Sequence, residues 1–315
     1  MTRPRPGQDR GQGRSLRKAR YLPHLLALIM LTLVAVALSM LIGTRFIAPD
    51  TVWGVLTGNR PEGIESSIID ARGTRTIWGL LIGATLGLAG AGMQGITRNP
   101  LGDPGILGVN SGAAFAVVTG ITFLGVKSTT EYSVLAFVGA AAASALVYAF
   151  ASIGKDGATP VKLALMGAAL SAGLGSLTSA LILTRQNALD DLRRWQVGSI
   201  AGKDLENLFP SGILLLVGAL ILFTGSRTIN NLALGDDMAA SLGENVNRRR
   251  FILFIGITLL VGAAVALAGP IAFLGLMAPH AMRSFISADY RMLLPASALF
   301  GAVILLLADT LGRVL

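Results

Sequence analysis

Long apolar runs, separated by short polar segments, dominate the chain from residue 22 to its end. An α-helix rises ~1.5 Å per residue, so about 20 apolar residues cross the ~30 Å hydrocarbon core of a bilayer. The runs predict nine membrane-spanning helices, of which the sixth and eighth are short: 22–42, 76–96, 106–125, 132–152, 161–184, 209–225, 251–269, 271–287 and 293–311. The pattern therefore predicts an all-α, polytopic membrane protein.

Composition supports this prediction and narrows the chemistry. Charged residues make up 14% of the chain, well below the ~25% of soluble domains. Glycine accounts for 39 of 315 residues, which favours close approach of helices within a bundle. The absence of cysteine and the presence of only two histidines exclude thiolate chemistry and argue against a histidine metal site. We expect this chain to bind no metal and no cofactor.

Residues 1–20 contain six Arg and one Lys among Pro, Gly and Gln. This composition predicts a disordered basic arm, followed by a single transmembrane domain over residues 21–315. Because Lys and Arg concentrate in cytoplasmic segments, we expect a multi-pass protein of the plasma or inner membrane with a cytoplasmic N-terminus. The net charge of +9 then needs no nucleic-acid partner. A signal peptide at 22–42 is disfavoured, since the run is long and lacks a clear cleavage site.

Residues 98–112, RNPLGDPGILGVNSG, interrupt the apolar pattern. Pro100 and Pro104, with Gly102 and Gly105 beside them, break any regular helix. Within a bilayer such backbone persists only where it is buried in protein or lines a water-filled path. The segment therefore predicts a membrane protein with a pathway.

Three further segments carry polar signals. In the loop of residues 226–250, LGDDMAASLG predicts a short exposed helix that docks a partner, and the following RRR predicts a cytoplasmic membrane edge. Residues 43–75 are predicted to form a long outer loop that ends in ARGTRT. Residues 185–208 predict an interfacial helix with Trp195 at the headgroup level.

Five motifs in order resemble one family: ARGTRT, MQGITRNPLGDPGILGVNSGA, LALGDDMAASLG, GPIAFLGLMAPHAMR and LLLADTLGR. They are similar to the permease of iron-siderophore and cobalamin ABC importers, which has the type II importer fold. The resemblance extends from about residue 22 to the last residue, and LRRWQVGSI with GPIAFLGLMAPH is most similar to the ferric-catecholate branch. It implies ten membrane helices, so we expect the family's last helix to be missing from a sequence with nine predicted spans.

The resemblance also implies partners. They are a second permease subunit, identical or paralogous, two cytoplasmic ATPase subunits that bind ATP and Mg, and an extracytoplasmic binding protein that delivers a ferric siderophore. The implied function is import by alternating access. Cobalamin or haem import by the same machinery remains an alternative.

The resemblance implies four sets of functional residues. The residues implied for ATPase coupling are Gly235, Asp236, Ala239, Ala240, Leu242 and Gly243. Binding-protein docking falls on Arg72, Arg75 and Arg313, for which snorkelling to the interface is the alternative. The cytoplasmic gate falls on Asn99 and Leu101, with Thr159, Pro160 and Val161 as the companion segment.

The fourth set is the translocation path, with candidates at the polar positions of apolar helices: Gln94, Asn110, Ser171, Ser176 and Thr178. For the three hydroxyl residues we favour hydrogen bonding to their own helix backbone. We also favour packing over an ion relay for His280 and Arg283, and a structural i, i+4 pair for Asp309 and Arg313.

Two other classes of function fit the sequence less well. An ion-coupled secondary transporter needs carboxylates at mid-membrane, and the predicted helices carry almost none. A membrane enzyme needs clustered acids, bases or metal ligands, which the sequence does not suggest. A GxxxxGK[ST] motif is also absent, so we expect ATP hydrolysis on a partner and no catalysis in this chain.

Overall fold

The computed structural model describes residues 9–59, 63–154, 157–183, 186–201 and 208–315. These residues form thirteen α-helices and no β-strand: α1 (Asp9–Leu41), α2 (Pro49–Leu56), α3 (Ile64–Thr97), α4 (Val109–Thr119), α5 (Thr129–Ala151), α6 (Pro160–Leu183), α7 (Gln186–Gln196), α8 (Leu208–Thr224), α9 (Ser226–Ala233), α10 (Asp236–Ser241), α11 (Val246–Ala268), α12 (Leu274–Phe285) and α13 (Tyr290–Gly312). The predicted all-α class is confirmed.

Six of the described helices are long and apolar enough to cross a membrane, namely α1, α3, α5, α6, α11 and α13. A seventh span results if α8 and α9, which meet at a bend of 54°, are counted together. Two of the nine predicted helices, at 106–125 and 271–287, are shorter than a full span. There α4 and α12 contain only 11 and 12 residues, too few to cross the bilayer alone.

Backbone breaks shorten these two helices. Before α4, Pro104–Leu107 forms a 3₁₀ turn, and Gly108 adopts a left-handed conformation with φ of 72°. After α4 the chain continues as a π-helical turn, Gly120–Leu124. Before α12, Phe273 is left-handed with φ of 66°. The regular ladder of helical hydrogen bonds is therefore lost at both places.

The boundaries of two predicted segments are also wrong. α1 begins at Asp9, so residues 9–20 are helical rather than disordered; Arg, Lys and Leu are good helix formers and extend the span. Residues 43–75 are mostly helical, since α2 and the first turns of α3 lie there. Ile69 of α3 is 1% exposed and packs on Val52 and Val55 of α2, which stabilises both elements. The RRR triplet lies inside α11.

α3 is the central helix of the fold and packs against α13, α12 and α11. Its glycines allow backbone contact: a Cβ on Gly83 would lie 2.6 Å from the carbonyl oxygen of Gly301 in α13. With 34 residues it is about 50 Å long. We call the end of the bundle that carries Arg72, Arg75 and Arg313 the Arg75 end, and the opposite end, which carries α10, the Asp236 end.

α7 confirms the short helix predicted within residues 185–208, of which 185 and 202–207 lie outside the described residues. Trp195 is partly buried beside Ala114, Val118 and Leu192. The indole therefore packs against α4. Its position relative to the headgroups stays a prediction.

Candidate functional site

At the Arg75 end, Arg72 holds the end of α1. Its side chain is buried, and Nη1 donates to the carbonyl oxygens of Met40 and Leu41 at 2.9 and 3.0 Å. Nη2 donates to the carbonyl of Arg45. A cation that binds the last carbonyls of a helix satisfies acceptors that lack partners within the helix. The donors of Arg72 are thus used inside the chain, and its docking role stays a prediction.

The other two arginines of the Arg75 end share one carboxylate. Arg75 binds Asp309 as a fork, with Nε 2.7 and 2.9 Å from the two carboxylate oxygens and Nη2 2.6 Å from Oδ1. Arg313 Nε lies 3.3 Å from Asp309 Oδ2, and Arg313 Nη2 donates to Ser39 and Thr310. The predicted pair of Asp309 and Arg313 is confirmed, and this cluster ties α1, α3 and α13 together.

The cluster is unbalanced in charge. Two guanidinium groups, those of Arg75 and Arg313, share the single carboxylate of Asp309. Arg75 keeps 28% of its side chain exposed, whereas Arg313 keeps 11%. Arg75 is thus the predicted docking residue with the most accessible guanidinium.

Gln94, predicted to line the path, connects three helices. It is 1% exposed. Its Nε2 donates to the Leu276 carbonyl of α12 at 3.2 Å, and its Oε1 accepts from Arg283 at 3.1 Å. Arg283 also donates to the Tyr290 hydroxyl of α13 at 3.1 Å and lies over its ring. Gln94 is thus bonded between α3 and α12, and its assignment to the path stays a prediction. The expected packing role of Arg283 is confirmed. His280 is exposed on α12.

Asn110 lies where the two helix breaks meet. It lines a narrow cavity with Asp103, Pro104 and Gly105 from one break and Gly275 from the other. A Cβ on Gly275 would lie 3.0 Å from Pro104 Cδ and 3.3 Å from Asp103 Oδ2. The side chain of Asn110 therefore faces irregular backbone inside the bundle.

The hydroxyl candidates on α6 behave as ordinary helical residues. Ser176 donates to the carbonyl of Ala172 at 2.9 Å, and Thr178 donates to that of Leu174 at 2.7 Å. Thr178 is buried and Ser176 is exposed, whereas Ser171 is half-buried. Backbone bonding, the favoured interpretation for Ser176 and Thr178, is confirmed.

At the Asp236 end the two predicted gate segments adjoin. Asn99, Pro160 and Val161 line one recess of about 280 Å³ together with Met93, Thr97, Gly102, Ile106, Ala164 and Leu165. Leu101 and Val161 are 62% and 67% exposed. Thr159 lies outside the recess lining and caps α6, since its Oγ1 accepts from the Lys162 amide at 3.4 Å. The structure thus places most of the predicted gate around one opening.

The predicted docking helix is α10, and its exposed face differs from the predicted one. Ala239 is fully buried, whereas Ala240 and Gly243 are exposed; the coupling role of these residues stays a prediction. The exposed apolar row consists of Leu234, Met238 and Leu242, at 64%, 54% and 57% exposure. Met238 lies on α10, and Leu234 and Leu242 flank it; the predicted coupling set contains Leu242 but neither Leu234 nor Met238.

The backbone on both sides of α10 is left-handed. Gly235 has φ of 114° and Gly243 has φ of 87°, conformations that glycine adopts without steric cost. These two predicted coupling residues therefore fix the direction of α10. Asp236, at its first turn, is partly buried and accepts from Arg250 Nη2 at 2.7 Å.

A second ion pair lies beside α10. Glu244 accepts from Thr228 and Asn231 of α9, both at 3.1 Å, and pairs with Arg249 Nε at 3.1 Å. Glu244 thereby connects three parts of the chain: α9, the loop after α10 and the start of α11. In the described part of the chain, no group of three His, Cys, Asp or Glu side chains is placed to hold a metal ion.

A bundle of apolar helices around two interior breaks, with an ion-paired docking helix at one end, defines a helical membrane permease. Residues 31–315 match the model of the FecCD transport family, and the chain belongs to that family. The resemblance seen in the five motifs is confirmed.

Individual relatives agree with this assignment. The chain is 43% identical to the ferric enterobactin transport system permease protein FepD of Escherichia coli, over 91% of this chain and 86% of that protein. It is 38% identical to YfiZ of Bacillus subtilis, described as a siderophore transport system permease protein, over 92% and 87%. A solved structure of a metal-chelate type ABC transporter in an inward-facing conformation superposes with a TM-score of 0.78 at 30% identity, covering 93% of this chain and 90% of that one.

Proposed function

We propose that this chain is the permease subunit of an ATP-driven importer and that a ferric siderophore crosses the membrane through it. The observation that carries the proposal is the 43% identity with the ferric enterobactin permease over 91% of the chain. The substrate is delivered by an extracytoplasmic binding protein, and ATP with Mg is bound and hydrolysed on partner ATPase subunits rather than on this chain.

The charge distribution supports one orientation of the bundle. Residues 1–20 contain six Arg and one Lys, the N-terminal part of α1 points toward the Asp236 end, and basic segments favour the cytoplasm. The Asp236 end is then cytoplasmic, and the row of Leu234, Met238 and Leu242 docks an ATPase. The Arg75 end faces outward, where the partly exposed guanidinium of Arg75 suits an acidic group on a binding protein. Arg75 is the residue we assign to that contact.

The uncovered surface of α6 supports a second permease subunit. Only 11% of the residues in its 18-residue apolar stretch are buried within the chain. Its exposed surface includes the small residues Gly173, Gly175 and Ser176. Small residues let membrane helices approach closely. Two copies, or this chain and a paralogue, then enclose a path between them, and alternating opening of its two ends moves the substrate.

Reconstitution into proteoliposomes with the ATPase and the binding protein tests the proposal. We expect uptake of ⁵⁵Fe bound to a catecholate siderophore that requires both ATP on the cytoplasmic side and the binding protein on the other side. Uptake of cobalamin without ferric siderophore uptake would contradict the substrate class. Uptake driven by an ion gradient without ATP would contradict the importer class.

Two variants of α10 test the ATPase contact in the same experiment, one as the perturbation and one as its control. Met238→Asp places a charge in the exposed apolar row of α10, where Met238 is 54% exposed, so it leaves the bundle folded. We expect it to release the ATPase and abolish uptake. Ser241→Asp adds the same charge to the same helix outside that row and should retain the ATPase.

A further inference from the structure

We propose that Arg250 and Asp236 form a mechanical link that carries movement of α10 to both gate segments at once. This inference rests on the proposed function, since it assigns the link a purpose in transport. It makes Arg250 a positioning residue, which acts through the backbone next to the gate and touches neither the substrate nor the ATPase.

Arg250 is the first part of the link. Its side chain is 1% exposed, and its two terminal nitrogens bind different structural elements. Nη2 contacts Asp236 of α10 at 2.7 Å, and Nη1 donates to the carbonyl of Ala158 at 3.1 Å. Ala158 directly precedes Thr159, Pro160 and Val161. Loss of Asp236 would leave a buried charge without its partner, and loss of the Ala158 carbonyl would leave a buried donor without an acceptor. Both costs hold α10 and this gate segment together.

Asp236 extends the link to the other gate segment. Its Oδ1 lies 3.6 Å from Arg98 Nη2. Arg98 ends α3 in a left-handed conformation with φ of 50° and directly precedes Asn99. The carboxylate at the start of α10 is therefore paired directly with Arg98, beside one gate segment, and reaches Ala158, beside the other, through Arg250. A displacement of α10 cannot leave either segment in place without breaking one of these ion pairs or the hydrogen bond to Ala158.

The first turn of α11 further fixes the connection that leads to α6. Tyr148 donates to the Asn247 carbonyl at 3.4 Å, and a Cβ on Gly157 would lie 2.7 Å from Asn247 Oδ1. The neighbouring pair of Arg249 and Glu244 differs, because it connects α9 with α11 and reaches no gate residue. The arrangement around Arg250 is thus distinct from a general set of surface ion pairs.

The experiment measures gate movement directly. The chain contains no cysteine, so Leu101→Cys with Val161→Cys gives two specific sites for spin labels, both exposed at the gate. In the complete complex with its ATPase, we expect a non-hydrolysable ATP analogue to change the distance between the labels. With Arg250→Gln added, the change should be lost while the ATPase stays bound.

The matched control is Arg248→Gln, which removes the same charge from an exposed position of the same helix and should preserve the distance change. A full distance change in the Arg250→Gln complex would overturn the proposal. If Arg250→Gln releases the ATPase, Arg250→Lys decides, because one ammonium group cannot bind Asp236 and Ala158 as the fork does. A bound ATPase with a reduced change supports the link, and a complete change overturns it.

Transport adds a second readout. We expect Arg250→Gln to lower the substrate imported per ATP hydrolysed by about tenfold, within the usual range of coupling between sites. Asp236→Asn should do the same, and the double variant should be no worse than either single variant. If the double variant instead lowers the substrate imported per ATP by the product of the two single effects, the residues act independently and the link is overturned. The gate measurement needs no substrate, so a wild-type complex that moves its gate yet imports no ferric siderophore contradicts only the proposed function.

Discussion

α3 and α6 are both long apolar helices with several glycines, yet the fold uses them in opposite ways. In the 18-residue apolar stretch of each helix, 78% of the residues of α3 are buried within the chain, against 11% of those of α6. α3 contacts α13, α12 and α11, while α6 contacts mainly α4 and α5. The first is the centre of the subunit and the second is part of its surface.

The glycines of the two helices show what this difference means. On α3, Gly83 meets the backbone of α13, with Gly301 O and Ala302 Cα 2.6 and 2.7 Å from the position of a Cβ. On α6, Gly173 and Gly175 meet nothing within 4 Å. The same residue type therefore closes a contact in α3 and leaves a surface open in α6. Gly167 of α6 is an exception, since it packs against the Ile106 carbonyl.

The largest effect that distinguishes the helices is expected for Gly83→Leu in α3. The new side chain has no space between α3 and α13, so their backbones must separate. We expect a loss of about 3 kcal/mol or more in the free energy of unfolding and little folded protein after detergent extraction. Size-exclusion chromatography and thermal unfolding measure this. A melting temperature equal to that of the wild type would show that the contact is not needed.

The matching change in α6 is Gly175→Leu, which should leave the single chain folded. The position is open, and leucine has the higher helix propensity, so we expect the free energy of unfolding to change by less than about 1 kcal/mol. If α6 faces a second subunit or the path, uptake falls by more than about tenfold, equivalent to ~1.4 kcal/mol. Full uptake in this variant would place the face against lipid.

The sequence predicted the helices of the fold better than it predicted which helices and side chains contact one another. The apolar runs locate the spanning helices, and LGDDMAASLG predicts α10, because these features depend on local residues. The contacts of Arg75 with Asp309 and of Gln94 with Arg283 join residues 234 and 189 positions apart. No local pattern indicates which distant helix supplies the partner.

The faces of the helices were harder to predict for a physical reason. In a soluble protein, the polar side of a helix marks its exposed surface. In a bilayer, lipid and protein interior are both apolar, so the sequences of α3 and α6 do not show which residues are covered. For the same reason Gln94 resembled a path residue although it is buried against α12. The break near Pro104 was predicted, because prolines and glycines mark it. The break at Phe273 was not, and 271–287 was predicted as one span.

The smallest perturbation tests the comparison most directly. Thr85→Cys in α3 and Ser176→Cys in α6 nearly preserve side-chain size, and the chain has no other thiol. Thr85 is 6% exposed and Ser176 is exposed. In the detergent-solubilised single chain, we expect a maleimide to label Cys at position 176 at least about tenfold faster, because thiol modification follows exposure. Mass spectrometry measures both rates.

The complete complex then shows what covers α6. If a second permease subunit lies against it, oxidation should link two copies through Ser176→Cys, and labelling by a membrane-impermeant maleimide should depend on whether ATP is bound. Equal labelling of the two positions in the single chain would contradict the burial difference between the helices. Rapid labelling in the complex by lipid-soluble reagents alone, with no linked copies, would assign the α6 face to the bilayer and remove it from the path.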